Sequence, residues 1–340
     1  MAIPAPLNLF YEELPDADRW IPFDRYPRRI VRRIVRGKPS PGGQMRVFLN
    51  LCAGLDRLGV RYRINDYRHI RGHPHELSCI VGRPHVLDKI DWKGPILFGA
   101  AVFSHPTDDP MLLSRLQVRR VLVPGEWMRR MCEPYWGDKV RAWPVGIDTK
   151  KWSPAPDVEK DLDFLVYDKV RWEHDRYLGE LIEPVLAELA RRGLKSAGLR
   201  YGHYREEAFH ALLRRCKAMV FLCEHETQGI AYQQALSCGV PILAWDRGGY
   251  WQDPAYYPRR VEFAPVTSVP YWDARCGSRF SGPGEFPGKL AEFLKRLGAG
   301  ELAPRDYVVE NLTLARCAQL YVDHANEVQG RCADAGQSRT

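Results

Sequence analysis

No apolar stretch in the 340-residue sequence approaches the ~20 residues that a membrane-spanning helix needs; the longest, such as residues 97–103, stop far short. A helical integral membrane protein is thereby excluded. The amino terminus, MAIPAPLNLFYEELPDAD, lacks a basic start and turns acidic before any apolar stretch of signal length, so a cytoplasmic location is expected. Cysteine is sparse and unclustered: there are 9, none in a C-x-x-C pair, and most, including Cys52, Cys79, Cys223 and Cys238, sit in apolar surroundings. That pattern argues for reduced, buried thiols and against disulfides or a zinc site. Internal repeats are absent, and the one low-complexity tract is the polar tail at residues 330–340, which is expected to be flexible. With 45% hydrophobic residues and 50 Lys+Arg against 42 Asp+Glu, the chain is too apolar and too balanced to be disordered. Its length points to two domains or one large one.

The net charge of +8 is concentrated in one place. Residues 25–38 (RYPRRIVRRIVRGK) carry seven basic side chains and no acid. Ile30, Val31, Ile34 and Val35 recur at helical spacing, with Arg28, Arg29, Arg32, Arg33 and Arg36 opposite, so a short basic amphipathic helix is predicted. It suits peripheral docking on an anionic inner-membrane surface or attraction of an acidic acceptor. A solvated helix packed by its Ile/Val stripe on its own domain fits equally well. Nucleic acid is not expected, because no stacking motif or recognition fold accompanies the charge.

Apolar runs at residues 7–11, 60–64, 79–81, 96–103 and 118–123 read as strands, with a helical period over residues 45–59 between the first two. The Pro-rich stretch 143–154 reads as a connection. A second series follows: strands at 162–167, 199–201, 218–223 and 240–245, and helices at 177–192, at 206–216 and from Ile230. Two successive α/β series predict two Rossmann-like, doubly wound domains facing a cleft, residues 1–150 and 151–311, with ligands at the carboxyl ends of the strands.

Residues 218–249 (AMVFLCEHETQGIAYQQALSCGVPILAWDRGG) carry the most chemistry. A buried strand ends at Cys223, and a polar turn containing Glu226 leads into a helix that stops at Gly239, with Pro241 beyond. The amides of Gln228, Gly229 and Ile230 then lie at the positive end of that helix, where they can hold phosphate or sugar oxygens. Gly229 lets a ligand approach the backbone. Gln234 lies one turn on, on the face of Ile230.

This stretch resembles the signature of the group 1, retaining glycosyltransferases of GT-B fold: a Glu, seven residues, a second Glu, then Ala-x-x-x-Gly-x-Pro and a strand. Here the residues are Glu226, TQGIAYQ, Gln234 and ALSCGVPILAWD, with Ala235, Gly239 and Pro241 in register. Residues 121–148 are similar to the family's end of the first domain and its linker, residues 41–43 to its glycine-rich first loop, and residues 305–324 to the closing helix, so that about 312–328 is expected to pack back on the first domain. The resemblance covers most of residues 7–325.

The resemblance implies transfer of a sugar from a nucleoside diphosphate sugar to a hydroxyl acceptor (a glycan, a lipid-linked acceptor or a small molecule) with retention, with no metal and no other cofactor. Asp161-Leu162-Asp163 precedes a strand and reads as structural. Glu226 would hold a hydroxyl of the donor sugar. Lys169 and Arg176, with Arg171 as substitute, would neutralise the leaving diphosphate. His105, or His85, would contact the transferred sugar or the acceptor from the first domain, and Gly42 and Gly43 would let that domain's loop approach the phosphates. Gln234 departs from the family: the second Glu accepts hydrogen bonds from ribose hydroxyls, whereas Gln offers one carbonyl and no charge, a loss on the order of 1–2 kcal/mol. The alternative is a catalytically weakened GT-B-like protein that binds nucleotide sugar or glycan. Aromatic residues at 249–257 and 269–272 fit a carbohydrate-facing surface or an ordinary core.

Overall fold

The computed structural model describes residues 6–14, 42–101 and 103–337; the basic segment 25–38 and its predicted helix lie outside them. Two parallel sheets organise the described chain. The first contains β1 (Leu7–Tyr11), β2 (Tyr62–Ile64), β3 (Ser78–Gly82), β4 (Ile96–Ala101), β5 (Val118–Val123) and β6 (Val140–Ala142), in the order β2-β1-β3-β4-β5-β6. The second contains β7 (Leu162–Asp168), β8 (Ser196–Arg200), β9 (Cys216–Leu222), β10 (Ile242–Trp245) and β11 (Gly277–Phe280), in the order β11-β10-β9-β7-β8. Strands such as β1 and β3 are buried at every position, as expected where helices cover both faces of a parallel sheet. The predicted fold class, two Rossmann-like α/β domains, is the observed one. Strand order reverses between β1 and β3 and between β7 and β9, and ligand crevices of open parallel sheets form at such points.

The helices that matter below are α1 (Gly43–Leu58), α2 (Glu126–Trp136), α3 (Glu183–Arg191), α4 (Glu206–Arg215), α5 (Ile230–Ser237), α6 (Phe286–Gly298), α7 (Pro304–Asn311) and α8 (Leu314–Gln337). The helix expected over 177–192 is not continuous. One turn at His174–Tyr177 passes into a π-helical stretch, Leu178–Ile182, before α3 begins. Pro184, at the start of α3, has no N–H to give the preceding turn, so the ladder is rerouted there. Neither β11 nor α6 has a counterpart in the sequence reading.

Besides the connecting segment after β6, two crossings tie the domains together. The chain leaves the second domain after α7, whose Tyr307 and Val308 pack in that domain's core. It then runs into α8, where Ala318, Tyr321, Val322, Ala325 and Val328 join the core beneath β1 and β3. Glycine makes this docking possible: a Cβ at Gly54 of α1 would fall 2.4 Å from Leu314 O and 2.6 Å from Ala318 Cβ. The Trp143 indole seals the contact by donating to Cys317 O at 2.9 Å.

The second crossing is a strap, residues 247–273, without helix or strand. Its Trp251, Tyr256, Val261 and Val266 are buried with Phe98, Trp127 and Met131 of the first domain. Tyr256 Oη donates to Asp108 at 2.8 Å, Arg260 donates to Thr107 O at 2.6 Å, and Tyr271 Oη donates to Pro124 O at 2.5 Å. Among the described residues no helix is long and apolar enough to cross a membrane.

The close approach of α1 and α8 yields a stability prediction. Gly54→Val is expected to destabilise the chain by about 1–3 kcal/mol in urea unfolding, because the new side chain meets backbone that cannot yield. Gly42→Ala, where a Cβ meets nothing within 4 Å, should stay within about 0.5 kcal/mol of the parent.

Candidate functional site

The reversal between β7 and β9 places two chain ends side by side. Lys169 immediately follows β7, and its amide donates to Leu222 O at 2.7 Å, extending the pairing with β9 by one residue. After β9 come the buried Cys223 and Glu224, then the turn to α5. Between them the Lys169 ammonium donates to Glu226 Oε1. The two side chains are 14% and 9% exposed. Burial alone would push the Lys169 ammonium down; the adjacent Glu226 charge more than reverses this, and Lys169 sits above its ordinary range. β8 contributes a third wall: Tyr201, just past its end, lies with its ring centroid 4.5 Å from Lys169 Nζ.

Glu226 is fixed through its backbone. Its amide donates to Thr267 O of the strap at 3.0 Å, and its carbonyl accepts from Trp127 Nε1 of α2 at 2.7 Å. The carboxylate is therefore aimed by both domains at once.

The turn after Glu226 serves two purposes. The Gln228 side chain bridges to the interdomain linker: Oε1 accepts from the Val145 amide at 3.0 Å and Nε2 donates to Trp143 O at 3.0 Å. Ile230 packs against the cores of both domains. The backbone amides of Gln228, Gly229 and Ile230 have no acceptor among the described residues, as the start of a helix leaves them. Gly229 has φ +74°, and a Cβ there would fall 2.0 Å from Tyr232 Cε1. Its glycine is thus required by the left-handed start of α5 and by the Tyr232 ring, which occupies the side a close ligand contact would need. Gln234 is 7% exposed, and its side chain has no hydrogen-bond partner among the described residues.

The other basic candidates separate. Arg171 is exposed with its guanidinium 5.0 Å from the Trp172 ring, while its amide and that of Trp172 donate to Glu224 Oε1 at 2.8 and 2.9 Å. Arg176 is 53% exposed and paired with Glu173 and Glu180 along its own helix; it makes no contact with Lys169 or Glu226. Sequence reasoning overlooked Trp127, Tyr201, Glu224, His225 and Arg247. His225 is 7% exposed, with its ring 5.0 Å from Trp172 and 5.6 Å from Trp127, and both ring nitrogens lack a partner. Burial, reinforced by Arg171, Arg247 and Lys169, pushes its pKa down to about 3.

In the first domain, His105 lies under the strap. It is 1% exposed, 5.0 Å from Tyr135 and 6.2 Å from both Trp251 and Tyr256 by ring centroid. The Thr107 amide donates to Nδ1 at 3.2 Å, which leaves the ring proton on Nε2. Burial lowers its pKa. Trp251 of the strap thus faces both His105 and Trp127, so Trp251 and Tyr256 of the aromatic run 249–257 serve a core against the first domain, while Tyr250 is exposed. His85 follows β3, half-buried, with neither ring nitrogen bonded. Gly42 and Gly43 open α1 and are exposed, and Arg46 in the first turn pairs with Glu206 at the start of α4. The start of α1 therefore faces the second domain.

This architecture, two doubly wound sheets with the strand-to-helix turn of the second at a reversal of strand order, is that of the GT-B fold. No family model and no curated protein sequence matches the chain. Solved structures do. Sucrose-phosphate synthase (tll1590) from Thermosynechococcus elongatus aligns over 96% of this chain and 99% of its own, with TM-score 0.52 and 12% identity. WaaG, a glycosyltransferase involved in lipopolysaccharide biosynthesis, aligns over 86% and 97%, with TM-score 0.51 and 13% identity. TarM aligns over 86% of this chain and 60% of its own, with TM-score 0.51 and 12% identity. The chain likewise spans 60% and 56% of the lengths of the matched chains in a GtfA/B complex and in an assembly of accessory secretory proteins 1, 2 and 3. At these identities the likeness is one of fold.

His225 generates a pH prediction. Its folded-state pKa lies below that of the unfolded chain, so the unfolded state takes up the proton first as pH falls. The associated stability is present above about pH 6.5 and is lost below it, at up to about 1.4 kcal/mol per pH unit. His225→Asn cannot take up that proton. Between pH 7 and 5 the parent is expected to lose up to about 2 kcal/mol more than the variant in urea unfolding.

Proposed function

We propose that the chain transfers a sugar from a nucleoside diphosphate sugar to a hydroxyl acceptor, with retention of configuration. The observation that carries this reading is the Lys169–Glu226 pair at the strand reversal of the second sheet, beside the unpaired amides that open α5. The shared fold with WaaG and sucrose-phosphate synthase supports it.

In this reading the donor diphosphate draws Lys169 away from Glu226, with Arg171 and the α5 amides completing the anion site. Glu226, released, accepts a hydrogen bond from a donor sugar hydroxyl, and Gln234 offers its carbonyl to the ribose. The bond between the sugar and the diphosphate breaks as the acceptor hydroxyl adds on the same face, its proton passing to the departing phosphate oxygen. Side-chain cations and helix amides supply the countercharge, so the scheme routes no step through a metal. The exposed Arg176 has no part in it. His105 acts through packing under the strap and reaches the acceptor side only if its Nε2–H is uncovered.

The absence of a second carboxylate at Gln234 favours the alternative of a binding protein with weakened turnover, and one set of measurements separates the two. Uridine and guanosine diphosphates are screened by thermal shift, and the matching nucleotide sugars are then tested for hydrolysis and transfer. Stabilisation together with turnover is expected; stabilisation without turnover would establish the binder. Glu226→Gln should fold with reduced stability, since the nearly buried Lys169 loses its charged partner. At temperatures where it stays folded it should lower kcat/KM by about 10- to 100-fold, the worth of a hydrogen bond to a charged group. Near-parental turnover would remove Glu226 from the site. Gln234→Glu should leave donor affinity unchanged or raise it up to about tenfold.

A further inference from the structure

Away from the crevice, the first domain gathers a second set of chemically active groups. The stretch Arg68-His69-Ile70-Arg71-Gly72-His73-Pro74-His75-Glu76 runs along the short helix Tyr67–Gly72 and into the loop before β3. One ligand atom each from His69, His73 and Glu76 lies within 4.8 Å of the other two. We propose that these three side chains bind a divalent transition-metal ion, zinc being the ion whose ligand preferences they match.

The local bonding prepares each group. His73 Nδ1 lies 2.9 Å from His69 O. A carbonyl only accepts, so Nδ1 carries the proton and Nε2 keeps the lone pair that a metal takes. The two rings stand one helical turn apart with centroids 4.1 Å apart and planes 17° from parallel. His69 Nε2 is 2.9 Å from Glu76 Oε2, and that oxygen also accepts from Asn8 Nδ2 at 2.9 Å. Asn8 is 3% exposed, so the carboxylate is oriented by a fixed, buried amide, as outer-shell partners orient metal ligands. Burial would raise the Glu76 pKa, but Asn8 and His69 outweigh it and hold the carboxyl below its usual range. In the metal-free chain the Glu76 carboxylate accepts from His69 Nε2–H, so on binding the ring takes its other neutral tautomer, with the proton on Nδ1 and Nε2 free to ligate. Two neutral imidazoles and one carboxylate then form a nitrogen and oxygen ligand set that zinc accepts, with water in the fourth position.

The distances are close to those an ion needs. Ligands at 2.0–2.1 Å on a tetrahedral ion stand about 3.3 Å apart, so His69 and Glu76 must separate by about 0.4 Å. His73 is exposed and can follow. Arg68 and Arg71 on the same helix lower the affinity relative to a neutral surround. The short helix follows β2 and Glu76 precedes β3, so the cluster sits toward the amino ends of the strands, whereas the crevice lies at carboxyl ends. The bound ion would fasten this helix to the loop before β3 and take no part in transfer.

The test uses the tag-free, full-length chain, stripped of metal and dialysed free of chelator. Zinc is titrated by calorimetry and cobalt by absorption. Saturable binding of about one equivalent is expected, with cobalt giving weak visible bands and no intense thiolate bands, since the described cysteines are all buried. His73→Ala and Glu76→Gln should each weaken zinc binding at least about tenfold; the first alters an exposed residue, and circular dichroism checks the fold of both. Absence of saturable zinc binding below about 0.1 mM, or equal binding by the parent and both variants, would overturn the proposal. Nucleoside diphosphate affinity should be the same with and without chelator. A chelator-sensitive affinity would place the ion in the crevice and overturn the assignment.

Discussion

Taking an ammonium and a carboxylate out of water costs several kcal/mol for each charge, and only a close partner offsets it. Lys169 and Glu226 stand in that relation where the strand order of the second sheet reverses. Removing either would strand the other, typically at about 3–5 kcal/mol. The pair therefore holds the ends of β7 and β9 in register while no ligand is bound. It also sets a condition on any ligand: what replaces the contact must satisfy both charges together. On the proposed reading, a diphosphate linked to a polyhydroxylated ring would meet this condition, with its phosphate facing the cation and its hydroxyls the carboxylate. A lone anion would satisfy Lys169 and abandon Glu226.

The precision of that crevice comes from the first domain as much as from the second. Trp127 holds the Glu226 carbonyl, and the strap holds its amide through Thr267. The same strap is anchored to the first domain by Tyr256 and Arg260 around Thr107 and Asp108. Gln228 adds a link to the connecting segment at Trp143 and Val145. A hinge motion that separated the domains would therefore pull directly on the backbone of Glu226. Domain opening and the aim of the carboxylate are one degree of freedom, and closure is a natural way to gate chemistry that water would divert.

What the sequence made legible follows from which signals are local. The strands of buried parallel sheets are short continuous apolar runs, so β1 and β5 could be read at their observed limits, and the Glu226-to-Pro241 pattern identified the strand, turn and helix around the site. Longer-range facts left little trace. Lys169 and Arg176 are both basic and seven residues apart in one segment, yet only the residue next to the end of β7 reaches the crevice; Arg176 turns onto a solvated helix face. His105 was read as an end-of-strand cleft residue because its cover, Trp251 and Tyr256, comes from far along the chain. The strap has no periodicity, so its aromatics read equally well as a sugar-facing surface or as core. The interruption at Leu178–Ile182 was signalled by Pro184 and outweighed by the apolar pattern around it.

Gln234 bears most directly on the chemistry. A second carboxylate there would be nearly buried. On the proposed reading its desolvation would go uncompensated until a ribose arrived. The neutral amide avoids that cost and gives up part of the ribose contact. Burial, reinforced by Arg171, Arg247 and Lys169, holds the His225 pKa low, and burial raises that of Glu224 against the two amides that bond it. On the proposed reading, affinity for the nucleotide would rest on the phosphates more than on the ribose, and selection among donors would fall to the sugar facing Glu226.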